Sequence, residues 1–272
     1  MGSYFQQQGA AILVSTGIFM GVAISSSANA GTVVQCGQDK CAVDFSIHVD
    51  DAIEETGGGQ FLYDAKTGVI ELDGSSVRGG MMNAETGSMM WNLGDGAQFM
   101  LTSLYGNADP IVGFGLGATT GSTARTFSFT FDLPIALEGM IEASSSISYS
   151  LTSQTAAGAQ ISPLGGNVLT AYEVDGDIGG LGSLNKGVDT GDAFFFVGGP
   201  QTQNSPVYTE TNYFVGDLDY DFMTAQVAFS LSANSNVGIS GFVQQTAVPV
   251  PATLPLLLSA LGLLGYIKRK KA

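Results

Sequence analysis

At 272 residues the chain is long enough for one large domain or two small ones. Charged residues make up only 12% of the chain, and its 38 glycines are about twice the average usage. The formal net charge of −15 disfavours nucleic acid as a partner, because contacts to phosphate need lysine and arginine. This composition predicts an exposed, turn-rich, all-β protein.

The N-terminal segment is predicted to be a signal peptide spanning residues 1–30. Residues 10–24 form an apolar run of suitable length, and Ala28 and Ala30 give the small-x-small pattern that precedes a signal-peptidase cut. Residues 1–8 carry no lysine or arginine, which departs from the usual basic start. The alternative interpretation is a buried N-terminal strand or helix.

Two cysteines follow the predicted cut. Cys36 and Cys41 lie in the sequence CGQDKC, and so close a pair in an oxidising compartment predicts a disulfide that closes a small loop. A redox-active pair is disfavoured because the spacing is not C-x-x-C. A zinc site is disfavoured because the chain has a single histidine, His48, and two thiolates do not complete a tetrahedral shell.

The central region is a series of short alternating segments separated by glycine. Phe127, Phe129 and Phe131 alternate with Ser128 and Thr130, and this period of two predicts a strand with one buried face. No stretch between the two ends shows a sustained helical period. The region from residue 31 to residue 246 is therefore predicted to be a β-sandwich with a jelly-roll-like arrangement of about a dozen strands.

Turn residues indicate where neighbouring strands pair. Residues 65–68 and residues 94–96 each contain glycine beside polar residues, and both predict hairpins. Strands are also predicted in the following segments: 46–53, 110–120, 125–135, 145–155, 167–173, 193–197, 212–215, 224–231 and 237–244.

Aspartates form two clusters that predict either solvated surface or a calcium site. In the first cluster the aspartates alternate, so their carboxylates point to one side of an extended chain. Ca²⁺ takes carboxylate oxygens, but Phe222 stands where an EF-hand needs glycine. The first cluster is Asp217, Asp219 and Asp221, and the second is Asp175, Asp177, Asp189 and Asp192 in a glycine-rich stretch. No other cofactor is predicted.

Catalytic motifs are absent from the sequence. It contains no Gly-x-Ser-x-Gly, HExxH or P-loop, so we expect no enzyme. A hydrolase-type pair among the 24 acidic residues stays open, because a fold can bring any two carboxylates together. A group of aromatic residues is predicted mainly for the core, with a minority available for sugar stacking: Phe194, Phe195, Phe196, Tyr208, Tyr213, Phe214 and Tyr220.

The C-terminal segment, residues 247–272, is predicted to contain a single membrane-spanning helix. Residues 248–267 carry no charge and are just long enough to cross a bilayer. A basic cluster follows, and the positive-inside rule holds it in the cytoplasm, which orients the central domain outward. The cluster consists of Lys268, Arg269, Lys270 and Lys271.

This tail resembles the PEP-CTERM sorting signal. Val248, Pro249, Pro251 and Ala252 precede a Leu/Gly-rich run and the basic end, in the order of that signal. Val250 departs from the commonest form, which has Glu between the two prolines. An apolar residue at this position is typical of the Val-Pro-Leu-Pro-Ala variant. The resemblance implies an inner-membrane precursor in a Gram-negative bacterium, which an exosortase-type transpeptidase processes on the way to the cell surface or extracellular matrix. The alternative is an ordinary C-terminal anchor helix.

A second resemblance concerns the central domain. Residues 106–111, the phenylalanine-rich strand after them, and residues 224–244 resemble a recurring PEP-CTERM ectodomain of unassigned role. Three functions follow as hypotheses. The first is a structural or adhesive role in a polysaccharide-rich envelope, with exopolysaccharide as a partner. The others are a carbohydrate- or calcium-binding lectin-like module and a secreted hydrolase.

Overall fold

A computed structural model of the chain describes residues 40–50, 56–64, 67, 69–83, 85–107, 111–134, 139–174, 189–191, 195–216 and 222–248. The chain divides into two units, one of residues 1–29 with 248–272 and one of residues 30–247. Apart from residues 247 and 248, the predicted signal peptide and sorting tail lie outside the described residues and stay predictions. Within the described residues, no helix has the length and apolar character needed to span a bilayer.

The second unit is built from antiparallel strands, as the period-two pattern predicts. Its strands are β1 (Lys40–Val49), β2 (Gly57–Asp64), β3 (Ile70–Arg78), β4 (Met81–Met82), β5 (Met89–Gly94), β6 (Ala97–Asn107), β7 (Ile111–Thr119), β8 (Arg125–Pro134), β9 (Gly139–Ser153), β10 (Ala159–Pro163), β11 (Leu169–Val174), β12 (Phe195–Val197), β13 (Thr202–Asn204), β14 (Tyr208–Gly216), β15 (Phe222–Leu231) and β16 (Ser235–Ala247).

These strands form two eight-stranded sheets. The first sheet has the order β12-β10-β15-β8-β1-β2-β3, and β11 pairs with β15 beside β10. The second has the order β13-β9-β16-β7-β6-β5-β4, and β14 pairs with β9 beside β13. Within the described residues the last two strands, β15 and β16, are therefore interior strands that pair on both sides.

One hydrophobic core lies between the sheets. Phe127, Phe129 and Phe131 of β8 are fully buried, which confirms the face predicted from their alternation. Phe99 of the second sheet packs against this row, with its ring centroid 6.0 Å from that of Phe127 and 6.2 Å from that of Phe129. Two antiparallel sheets around a shared core are consistent with the predicted β-sandwich.

The two predicted hairpins are confirmed. The β2–β3 turn closes with a hydrogen bond from the Asp64 amide to the Val69 carbonyl at 2.9 Å. The β5–β6 turn uses Gly94, Asp95 and Gly96 with φ angles of 80°, 51° and 73°. Glycine and aspartate tolerate these left-handed conformations, so the turn follows from its sequence.

Other details differ from the predictions. The strand predicted at 46–53 is β1, which begins at Lys40 and ends at Val49, because Asp50 turns the chain with a φ of 57°. The strands β4, β10 and β13 have two to five residues, too few to show a period. A jelly roll has eight strands in all. Here each sheet has eight strands, so the sandwich has more strands than a jelly roll, and the jelly-roll-like arrangement stays a prediction.

Candidate functional site

The outer side of the second sheet is covered mainly by uncharged polar residues, and we call it the hydroxyl face. Residues of β9 and β16 alternate between the core and this face, with Ser145, Ile147 and Tyr149 buried inward. Among the described outward positions of β5–β7, β9, β13, β14 and β16, Glu142 is the one charged residue. The face comprises Asn92, Gln98, Tyr105, Gly113, Gly115, Gly117, Glu142, Ser144, Ser146, Ser148, Ser150, Thr152, Ser240, Phe242 and Gln244, with their outward neighbours.

Two aromatic side chains lie in one row across the middle of the hydroxyl face. Gly113 of β7 pairs with Tyr105 of β6 on one side and with Phe242 of β16 on the other. The Tyr105 side chain is 54% exposed, whereas Phe242 is half-buried. Because neighbouring strands are about 4.8 Å apart, the backbone positions of Tyr105 and Phe242 flank Gly113 at roughly equal distances. We call this row of Tyr105, Gly113 and Phe242 the aromatic row.

The position of the Tyr105 ring depends on the missing side chain of Gly113. A Cβ atom at Gly113 would overlap the Tyr105 ring, so the ring occupies the space that any larger residue would fill. Gly115 and Gly117 follow on the same side of β7, and a Cβ there would meet the Ser103 hydroxyl at 2.6 Å and the Met100 methyl at 2.9 Å. These alternating glycines give β7 an outer side that β6 side chains cover.

Hydroxyl and amide groups border the aromatic row on both sides. Next to it, Ser148, Ser240, Gly115 and Ser103 form a row of aligned positions on β9, β16, β7 and β6. On the opposite side, Gln244 pairs with Ser144. The arrangement is therefore a shallow surface on which an aromatic ring lies between hydrogen-bonding groups.

At the rim of the hydroxyl face, Tyr213 and Glu142 form a separate pair. The Tyr213 hydroxyl donates to Glu142 Oε2 at 2.9 Å. This hydrogen bond, followed by the negative charge of Glu142, raises the pKa of Tyr213 above its ordinary value. Tyr213 therefore stays protonated and holds the Glu142 carboxylate at the edge of the face.

The outer side of the first sheet is different in composition, and we call it the acidic face. Asp44 of β1 and Gln60 of β2 are paired outward positions, and Asp132 lies on the neighbouring strand β8, close enough for its ionisation to respond to the charge of Asp44. Gln60 Nε2 donates to Asp44 Oδ1 at 3.0 Å, and the Thr224 hydroxyl donates to Asp132 Oδ1. The acidic face comprises Asp44, Asp64, Glu71 and Asp132, with His48 opposite Ser128.

Asp132 is a carboxyl group of the acidic face whose ionisation is affected by its surroundings. Burial raises its pKa above the ordinary value, and the charge of Asp44 on the neighbouring strand raises it further. The hydrogen bond from Thr224 opposes this shift because it stabilises the carboxylate. Within the described residues, no group of three or more His, Cys, Asp or Glu side chains is arranged to hold a metal ion.

A shallow depression lies at one end of the first sheet. Asp50, Ala124, Arg125, Thr126 and Ser230 line it. The Arg125 guanidinium donates to Asp50 Oδ2, and the Thr126 amide donates to Asp50 Oδ1 at 3.1 Å. Both charged groups are thus bonded to each other, and their arrangement holds the end of β1 against the start of β8.

Most of the residues that the sequence singled out for chemistry lie outside the described residues. This applies to the signal cut, the sorting motif after Val248, the basic end, Cys36, and most of both aspartate clusters. Cys41 is on β1 opposite Tyr63, and the Asp189 carboxylate accepts a hydrogen bond from the Ala171 amide at 3.2 Å. The disulfide and the calcium site therefore stay predictions.

The predicted aromatic group is divided by the structure. Phe195, Tyr208 and Phe214 are partly buried and pack against the core, whereas Phe196 and Tyr213 are 51% and 57% exposed. Phe194 and Tyr220 lie outside the described residues. Sequence analysis missed Tyr105 and Phe242. The alternating glycines 113, 115 and 117 were the available signal, since they leave the middle of one side of a strand without side chains.

Comparisons with known proteins add little. No protein-family model matches the chain, and no curated protein matches it. TmCBM61 in complex with beta-1,4-galactotriose is 8% identical over 48% of this chain and 69% of that chain, with a TM-score of 0.20. The adhesin domain of Epf from Streptococcus pyogenes is 10% identical over 74% of this chain and 57% of that chain, with a TM-score of 0.24. These TM-scores are too low for either protein to indicate the fold or the role of this chain.

Proposed function

We propose that the protein is an exported adhesive or structural surface protein that binds uncharged polysaccharide on its hydroxyl face. The observation that carries this proposal is the aromatic row, in which the exposed Tyr105 ring lies against Gly113 between rows of hydroxyl and amide groups. The C–H side of a sugar ring packs on an aromatic ring, while its hydroxyls need donors and acceptors at the margins.

The charge of the surface supports a neutral polysaccharide as the partner. The chain has a formal net charge of −15, and the hydroxyl face has no lysine or arginine at its described positions to pair with sugar carboxylates or sulfates. An acidic polymer would therefore be repelled, whereas a neutral polymer would not. The open, shallow shape suits an extended chain of sugars more than a single small ligand.

A substitution in the aromatic row tests the proposal. Tyr105→Ala should weaken binding of the full chain to neutral polysaccharide by about tenfold, equivalent to about 1.4 kcal/mol. Phe196→Ala is the matched control, because Phe196 is 51% exposed and lies against Gly158 on the other sheet. Affinity electrophoresis through gels of neutral and acidic polysaccharides would measure both. Equal retention of the wild type and Tyr105→Ala would contradict the proposal.

Sorting to the surface forms the second part of the proposal. The Val248–Ala252 segment and the basic end support processing by an exosortase-type transpeptidase after signal-peptide removal. Replacing Pro249 and Pro251 with alanine should preserve the apolar span but block processing, so that full-length protein accumulates in the inner membrane. Ser259→Ala, within the apolar run, should be processed normally. If the proline variant matches the wild type in size and location, the tail is a plain anchor.

A further inference from the structure

The open edges of the two sheets differ in how they are protected against pairing with another chain. Sheet edges expose unpaired backbone groups, and proteins usually protect them with short strands, charged residues or bulges. The edge strands β4, β12 and β13 have only two or three residues. The longer edge strand β3 carries Glu71, Asp73 and Arg78, and its pairing with β2 contains a bulge.

Edge strand β14 is neither short nor bulged, and it has little protection from charge. It is nine residues long, pairs with β9 in a regular register without a bulge, and contains a single charged residue, Glu210. Among the described strands it pairs with β9 alone. All five residues from Thr209 to Tyr213 are exposed. These include Glu210 and Asn212, which lie on the inward side of the strand. The free edge of β14 is therefore open to solvent.

We propose that β14 pairs with β14 of a second copy of this chain in an antiparallel, two-fold arrangement centred on Thr211. In this register the outward Thr209 faces the outward Tyr213 of the other copy. The inward side likewise pairs Tyr208 with Phe214 and Glu210 with Asn212. Each residue thus meets one from the same side of its sheet, which continuous pairing requires.

The sequence of β14 is self-complementary in this register. Tyr208 and Phe214 are both half-buried at the margin of the core, so their pairing extends the apolar layer. Asn212 offers an amide donor to the Glu210 carboxylate of the other copy, and no like charges face each other. A register centred on Asn212 would instead place Phe214 opposite Glu210. The register centred on Thr211 is therefore favoured.

The dimer has a consequence for binding, which rests on the proposed function. Because Thr211 meets Thr211 on the outer side, the two-fold axis is perpendicular to the sheet and both hydroxyl faces point the same way. Two Tyr105 surfaces would then contact one polysaccharide, and their linkage raises the apparent affinity without any new contact.

Cysteine cross-linking tests the register directly. In the full chain, purified in mild detergent, Thr211→Cys should form an interchain disulfide under mild oxidation, because directly opposed Cα atoms lie within disulfide range. Thr209→Cys is the matched control on the same strand. Its two copies would be about 13 Å apart, too far to link. Equal cross-linking of both variants, or none in either, would overturn the proposal.

A charge substitution provides the second measurement. Thr211→Lys places two ammonium groups opposite each other at the two-fold axis, so sedimentation should find a loss of at least tenfold in dimer affinity. Gln203→Lys adds the same charge to the short strand β13 and should leave the dimer unchanged. A wild type that stays monomeric at every concentration, or a dimer unaffected by Thr211→Lys, would refute self-pairing. Polysaccharide binding by a monomer would leave the proposed function standing.

Discussion

The acidic face and the hydroxyl face lie on opposite sides of one core, yet their surfaces have different chemistry. On the acidic face, the carboxylates of Asp44 and Asp132 lie on neighbouring strands, close enough for their charges to interact. The aromatic row on the hydroxyl face has none. Both sheets use the same alternation of inward and outward residues. The difference therefore lies in which side chains occupy the outward positions.

Glycine placement is the physical origin of this contrast. On the hydroxyl face, Gly113 has no side chain, so the neighbouring Tyr105 ring can lie against the sheet with its outer side open. At the centre of the acidic face, β1 and β8 carry outward side chains at Asp44, Ser46 and Thr130, so these positions lack the open space that Gly113 leaves. A flat exposed ring is therefore supported on one side of the sandwich and excluded from the centre of the other.

The largest effect is expected from the layer that both faces share. Phe129→Ala should reduce the free energy of unfolding by about 3–5 kcal/mol, because a fully buried phenylalanine is removed between the sheets. Fluorescence of the single tryptophan, Trp91, which is 1% exposed, would follow denaturant unfolding. Thr130→Ala, the outward neighbour, should have little effect. Two separate transitions would mean that the faces do not share one cooperative core.

The second prediction isolates the hydroxyl face. Gly113→Ala should displace the Tyr105 ring and weaken polysaccharide binding by about tenfold, as Tyr105→Ala does. Overpacking should also cost about 1–3 kcal/mol of stability. Gly165→Ala is the control, since a Cβ there meets nothing within 4 Å. Retained binding in a folded Gly113→Ala protein would show that the ring position does not matter.

The third prediction isolates the acidic face through its pH dependence. Because the folded-state pKa of Asp132 is raised, its contribution to stability is present below the ordinary carboxyl pKa and is lost as pH rises through the folded-state pKa. Asp132→Asn should remove that loss and raise the melting temperature modestly at neutral pH, since the asparagine oxygen still accepts from Thr224. Thermal melts across pH 3–8 would measure it.

The Thr224→Val variant should change the pH dependence of stability in the opposite direction. It removes the hydrogen bond that lowers the pKa of Asp132, so the loss of stability at neutral pH should become larger. Identical pH profiles for the wild type, Asp132→Asn and Thr224→Val would contradict a raised pKa of Asp132 in the folded protein.

The smallest effect is expected at the end of the acidic face. Asp50→Asn removes the ion pair with Arg125, while asparagine still tolerates the positive φ and accepts from the Thr126 amide. Since the two side chains are 21% and 42% exposed, the loss should stay below about 1 kcal/mol and shrink as salt increases. Urea unfolding at low and high salt would measure this. A loss of several kcal/mol that ignores salt would show a different role.

Much of the local structure could be predicted from the sequence because it depends on neighbouring residues. The alternation around Phe129 predicted a strand and its buried side, and the Gly94–Gly96 turn predicted a hairpin. These signals act over a few residues, through side-chain direction and backbone freedom. The short strands β4, β10 and β13 were missed, because two to five residues contain too little pattern.

The sequence by itself determined the class of fold, the acidic charge and the positions of the main turns. Only the tertiary structure decided which strands are neighbours. Phe242 joins Tyr105 in one row because β16, far along the chain, pairs between β7 and β9. The free edge of β14 likewise depends on its pairing with β9 alone among the described strands. Such long-range pairings depend on how the strands pack around the shared core, and a pattern of neighbouring residues does not contain that information.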